Sequence, residues 1–246
     1  MKVTIRTLAE CPDLLPALLA MENPRPEFIR RDPFGELYYD PAVLTQFADH
    51  ILLARSPDGE LVAKAHAIPF RLEDGPLPDD GWDGAIRREI LTKLAGAVPD
   101  SLAALEIFVR SASQGLGLSR QMLEALSLNA LRLGFRELVV PVRPNGKTDI
   151  HEPMSSYAMR TRADGLPVDP WLRVHVRAGG RIESVAARSM VVAGTLSEWR
   201  TWTGLPRDSP GPVEVPQALS PVICSPEQGT AVYTEPNVWV RHSTGA

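Results

Sequence analysis

Residues 104–123 read ALEIFVRSASQGLGLSRQML, and the changes of pattern inside this stretch decide the fold. Leu102–Arg110 alternates like a strand, which predicts Leu105, Ile107 and Val109 on one face and Glu106, Phe108 and Arg110 on the other. Small, glycine-containing chain follows. Leu118, Met122, Leu126 and Ala130 then recur four apart and predict a helix over 118–133, with Gly134 placed to end it. Glu137–Val142 (ELVVPV) is apolar after its first residue, as a strand covered on both faces should be. Residues 102–142 therefore read as β-loop-α-β, a right-handed crossover with the glycine turn at the carboxyl end of its first strand.

Outward from this unit the pattern is that of a mixed α/β chain. Strands are predicted over Val3–Thr7, Ile51–Ala54 and Leu61–Ile68. The last two are joined as a hairpin by the turn sequence Ser56-Pro57-Asp58-Gly59. Helices are predicted over Leu14–Met21, Pro41–His50, Ala85–Leu94 and Pro170–Ala178. Asn23–Pro41 and Arg71–Trp82 read as loop. A strand over Ile182–Val192, a helix over Leu196–Gly204 and strands near Val222 and over Ala231–Arg241 complete the chain. The organisation expected is one α/β domain over 1–194, with 195–246 a C-terminal extension packed on it.

Composition narrows the function. The chain has 246 residues, a formal net charge of -4 and 44% hydrophobic content, enough to bury a substantial core. An acidic balance leaves no electrostatic footprint for DNA or RNA. No run approaches the ~20 apolar residues needed to span a bilayer, and the N-terminus is interrupted by acids and a proline. The two cysteines, Cys11 and Cys224, stand far apart and suit a reducing cytoplasm. Histidines 50, 66, 151 and 242 lack ligand spacing, so no metal is expected.

Three phosphate or nucleophile motifs fail at the glycine turn. A dinucleotide fingerprint would need a third glycine where Arg120 stands. A P-loop would need Lys-Ser/Thr where Leu118-Ser119 stands, and a nucleophile elbow would need glycine at Ser111. What the stretch does fit is Gln114-Gly115-Leu116-Gly117-Leu118-Ser119. It resembles the Q/R-x-x-G-x-G/A loop of the GNAT acyltransferases, with Ser119 at the family's last small position. The physical logic is that glycines let the main chain approach a pyrophosphate and turn N–H groups toward it. The helix start adds unpaired donors and a positive dipole end.

From Val140 onward the resemblance sharpens. The stretches VPVRPNGKTDIHEPMSSYAMRTRADGLPVDPWLRVHVRAGGRI and YTEPNVWVRH resemble GNAT-like domains of polyketide synthase loading modules and their free-standing relatives. The resemblance spans roughly residues 100–242. It implies a GNAT fold, with a mixed sheet splayed between its fourth and fifth strands, and an acetyl-CoA or other short acyl-CoA donor. Phe108, Val109, Arg110, Gln114, Gly115, Leu116, Gly117, Leu118 and Ser119 are the implied coenzyme A contacts. The acceptor would be an amine or a thiol, on a small molecule or a carrier protein.

His175, four before Gly179, occupies the place where many family members carry a general-acid tyrosine. Glu106 is the candidate base, its alternative being an ion-paired glutamate. Some loading-module relatives are linked to malonyl-CoA decarboxylation through a helix histidine and a strand threonine. Val139–Pro144 holds no threonine, and Thr148 comes only later. Arg143 and Lys147 could meet anionic groups or stand as solvated loop cations. Trp171, Trp199, Trp202 and Trp239 are expected to pack the extension on the core. Three readings follow: acyl transfer, decarboxylation with loading, and acyl-CoA binding without chemistry.

Overall fold

The computed structural model describes residues 2–72, 75–206 and 209–244. Its strands are β1 (Thr4–Thr7), β2 (Ile51–Arg55), β3 (Leu61–Phe70), β4 (Ser101–Val109), β5 (Glu137–Val142), β6 (Arg181–Thr195), β7 (Gly211–Val213), β8 (Val222–Ser225) and β9 (Thr230–Ser243). The helices are α1 (Leu15–Leu19), α2 (Pro33–Tyr38), α3 (Pro41–Gln46), α4 (Gly81–Leu94), α5 (Leu118–Arg132), α6 (Met154–Ala158), α7 (Pro170–Arg177) and α8 (Leu196–Thr203). The strands join in one sheet in the order β1-β2-β3-β4-β5-β9-β8-β7, with β6 paired to β9.

Two apolar clusters cover the two faces of this sheet. Met122, Leu126 and Ala130 of α5 pack with Leu102, Ala104, Leu138 and Val140 on one face. Trp82 and Ile86 of α4 pack with Ala103, Phe108, Val139, Trp199 and Trp239 on the other.

The predicted β-loop-α-β unit is present, with β4 and β5 parallel. They pair only at Leu102↔Leu138 and Ala103↔Val139. Beyond Ala103 the two strands part, and this splay makes the cleft described below.

The strand alternation differs from the prediction. The β3–β4 register slips between His66 and Ala67, with His66 opposite Glu106 and Ala67 opposite Ala104. Leu105 is the extra residue of a β-bulge. A bulge resets the alternation, so Leu105 joins Phe108 in one apolar cluster while Ile107 and Val109 face the other.

Residues 23–41, read as loop, contain α2. Asp32 caps it, accepting from the Gly35 N–H at 2.8 Å, and Pro33 opens it. This is an Asp-Pro helix start. The loop predicted over 71–82 ends earlier than expected, because α4 begins at Gly81; Glu73 and Asp74 of that loop lie outside the described residues.

The C-terminal segment is part of the sheet. One edge of β9 runs along β6, and the other pairs first with β8 and then with β5. The strand lying beside the splay therefore comes from the end of the chain.

Candidate functional site

The splay opens into two adjoining spaces that share wall residues. A groove of about 570 Å³ is lined by Val109, Ser113, Gln114, Gly115, Gly117, Leu118, Ser119 and Val174, among others. A narrower cavity of about 170 Å³ lies between the strands and is lined by Glu106, His175, Trp82 and Asn237, among others. Arg25, Ile107, Phe108, Arg143 and Trp171 border both.

The glycine turn forms the outer rim. Gly115 (φ +77°) and Gly117 (φ +74°) hold left-handed backbone, and a Cβ at either would meet nothing within 4 Å. Glycine is therefore required by the backbone conformation, and the space beside it stays open. Gln114 Nε2 donates to the Val109 carbonyl at 3.3 Å and pins the turn to β4. Gly117 caps α5 without any side-chain hydrogen bond. Among the described residues, the N–H groups of Gly115, Gly117, Leu118 and Ser119 donate to no protein acceptor. Such a cluster of free donors at the start of a helix suits an anion. Of the predicted contacts, Arg110 and Leu116 do not line the groove. The Arg110 N–H instead extends the ladder to the Val62 carbonyl at 2.9 Å.

Glu106 is an ion-paired glutamate at the cavity wall. Tyr39 Oη donates to its Oε2 at 3.0 Å, Lys64 Nζ lies 3.4 Å and His66 Nε2 3.8 Å from the same oxygen. Arg25 stands 3.8 Å from Oε1. Burial alone would push the carboxyl up. Arg25 and Lys64, with the Tyr39 hydrogen bond, hold it down at about 2. A carboxylate that reluctant to take a proton is a weak base and a strong anchor for a cation. Burial drives His66 down to about 3, against the pull of Glu106, so His66 is a neutral ring.

His175 sits on α7, wholly buried, with its ring edge against Trp171 at 4.8 Å between centroids. Burial, with His242 adding, lowers it to about 3. The resting side chain is neutral, not the imidazolium that direct acid catalysis would need. Its Nδ1 lies 2.9 Å from His242 Nε2. Burial lowers His242, and a main-chain hydrogen bond at Ala178 opposes it. Between the two neutral rings one nitrogen donates and the other accepts. His175 Nε2 is buried at the cavity wall without a partner.

Several residues here were not singled out in the sequence as functional. Tyr39, Lys64, His66 and Trp82 surround Glu106, and His242 backs His175. Each pair is brought together by sheet pairing or helix packing across 24 to 67 residues of chain, a distance no local motif spans. Trp171, expected to pack the extension, borders the cleft instead. Arg143 donates from Nε to the buried Glu235 at 2.9 Å and from Nη2 to the Gln217 carbonyl at 2.6 Å. Lys147 is buried, its ammonium spent on the carbonyls of Leu219 and Asp149. Neither is a solvated loop cation. Among the described residues, no group of three or more His, Cys, Asp or Glu side chains could hold a metal ion. No helix there is long and apolar enough to cross a membrane.

A mixed sheet parted between two parallel neighbours, with an uncapped glycine turn at the mouth of the gap, defines an acyltransferase of GNAT type. The chain belongs to that family: it is 32% identical to arginine N-acetyltransferase avaD of Aspergillus versicolor, over 97% of this chain and 93% of that one. No protein-family profile matches it. Two solved structures share the fold. The loading GNATL domain of CurA from Lyngbya majuscula aligns with a TM-score of 0.56 at 14% identity, over 99% of this chain and 98% of that one. The GphF GNAT-like decarboxylase, solved with isobutyryl-CoA, aligns with a TM-score of 0.50 at 18% identity, over 99% of this chain and 100% of that one.

Proposed function

We propose that this enzyme transfers a short acyl group, acetyl first among them, from coenzyme A to the nitrogen of an amine or guanidine of arginine type. One observation carries the reading: the free N–H groups of Gly115, Gly117, Leu118 and Ser119 and the unpartnered Nε2 of His175 lie on adjoining cavities that share Arg25, Phe108 and Trp171 as walls. The glycine turn fits a diphosphate, since a side chain at Gly115 or Gly117 would fill the cradle and strain the backbone. A thioester bound there supplies an activated acyl carbon and a thiolate leaving group.

The side chains then divide the work. His175 Nε2 accepts a proton from the acceptor nitrogen as that nitrogen bonds to the acyl carbon. At that moment the nitrogen is far more acidic than a free ammonium, so a weakly basic imidazole suffices. The protonated ring gives the same proton to the departing sulfur. His175 thus acts as the predicted acid only after acting as base. Glu106 orients a cationic acceptor, a role its low proton affinity suits better than that of base. The arginine acceptor of the 32%-identical relative supports this division.

Decarboxylation is disfavoured by one detail. Thr148 is not among the residues lining the cavity of His175; it lines a third pocket that meets that cavity at Arg143. Incubation with acetyl-CoA and L-arginine tests the proposal. Thiol release with a product heavier by one acetyl group is expected; carbon dioxide release from malonyl-CoA without acyl transfer would contradict it.

A further inference from the structure

Arg25 lies in the sequence Asn23-Pro24-Arg25-Pro26, between α1 and the turn at Ile29–Arg31. Prolines on both sides restrict its backbone, and Asn23 Oδ1 accepts its N–H at 3.1 Å. Among the described residues that is the one hydrogen bond to its main chain. From this knob the side chain reaches inward and stands where groove and cavity meet.

What receives it is a cage for a flat cation. The Arg25 guanidinium carbon is 5.1 Å from the Tyr39 ring centroid and 5.3 Å from that of Trp82. The two rings stack at 21°, their centroids 6.4 Å apart. Glu106 supplies the counter-charge. Aromatic faces with one carboxylate are the chemistry that recognises a guanidinium.

The guanidinium also hydrogen-bonds Tyr39, but its pairing with the carboxylate is loose. An Arg–carboxylate pair is ordinarily bidentate, at about 2.7–2.9 Å. Here a single nitrogen stands 3.8 Å from Glu106 Oε1, and that oxygen accepts no hydrogen bond among the described residues. Lys64, by contrast, is buried on β3 and closer to the carboxylate, so it belongs to the wall and Arg25 to the contents.

We propose that Arg25 is a displaceable internal occupant of the acceptor seat. A guanidinium-bearing acceptor takes its place on Glu106, Tyr39 and Trp82, and Arg25 swings toward the groove mouth. This rests on the acyl-transfer reading above and names the acceptor group that the site selects. A seat filled most of the time by the chain itself lowers the apparent affinity for the acceptor by the fraction of time it stands open.

Calorimetric titration of L-arginine into the full-length protein with coenzyme A present tests this. Arg25→Ala is expected to bind arginine about tenfold more tightly than the wild type, as for a seat open about a tenth of the time. Arg25→Lys, which keeps charge but not planarity, should fall between. Guanidinium chloride should compete with arginine for the Arg25→Ala protein. An equal or weaker affinity in Arg25→Ala overturns the proposal. Thiol release from acetyl-CoA by the wild type separates the two readings. Release together with unchanged affinity in the variant sinks displacement and leaves acyl transfer standing. No release with any amine sinks the acyl-transfer reading itself.

Discussion

At the scale of single residues, the chemistry turns on which nitrogen of His175 carries a proton. The proposed transfer needs the proton on Nδ1, donated to His242 Nε2 at 2.9 Å, and the lone pair on the unpartnered Nε2. His175→Ala should lower kcat by about 10²- to 10⁴-fold, the usual worth of a general acid–base group, with coenzyme A affinity unchanged by calorimetry. His242→Phe removes the acceptor for the Nδ1 proton and should slow turnover and shift the acid limb of the kcat profile. His242→Gln, whose side-chain carbonyl can take that proton, should restore part of the rate, whereas identical pH profiles for all three would exclude the relay. His175 was legible from its spacing to Gly179. His242 was not, since the two lie 67 residues apart in sequence and nothing local marks the pairing. Glu106 was legible as a polar residue in an apolar strand, but its two cations, Arg25 and Lys64, arrive from two other segments.

At the scale of elements, one buried carboxylate holds the site's helix in place. Asp169 caps α7, accepting from the Trp171 and Leu172 N–H groups at 2.9 Å each, and also from Gly146 N–H at 2.7 Å and Tyr157 Oη at 3.0 Å. It thereby ties α7, α6 and the chain leaving β5 together. Asp169→Ala should destabilise the protein by about 2 kcal/mol, combining a lost cap with buried donors left unpaired. Thermal unfolding checks this, and an unchanged midpoint would deny the tie. The β4-turn-α5-β5 unit could be read almost residue by residue, because its periods are long and its glycines mark the boundaries. The bulge at Leu105 could not, since it arises from register against β3 and leaves no mark in β4 itself. It is also what places Leu105 and Phe108 on one face of the strand.

At the scale of the whole molecule, the sheet is closed by the end of the chain. β9 lies against β5, β6 and β8, so we propose that 1–194 is no independent unit. A protein truncated after residue 194 should show no cooperative unfolding transition, and a sharp one would contradict this. The sequence indicated these strands but not their partners, because strand order depends on pairing at a distance. Stability should also depend on pH through a buried acid pair. Burial and mutual repulsion raise Asp83, and burial raises Asp32. The folded state therefore keeps a proton that the unfolded chain releases near pH 4. The pair's contribution to stability is full below that value and is lost as pH rises through the raised folded values, at up to about 1.4 kcal/mol per pH unit. Asp83→Asn should flatten the decline in melting temperature between pH 5 and pH 8; a parallel decline would contradict it.

The proposed chemistry depends on the main-chain amides of Gly115, Gly117, Leu118 and Ser119 gripping a diphosphate. Calorimetric titration of coenzyme A into the wild type and Gly117→Glu tests that most directly. Bulk, a strained backbone at φ +74° and a negative charge should together abolish binding in the variant while its melting temperature stays within a few degrees of wild type. Coenzyme A bound equally well by both proteins would contradict the site.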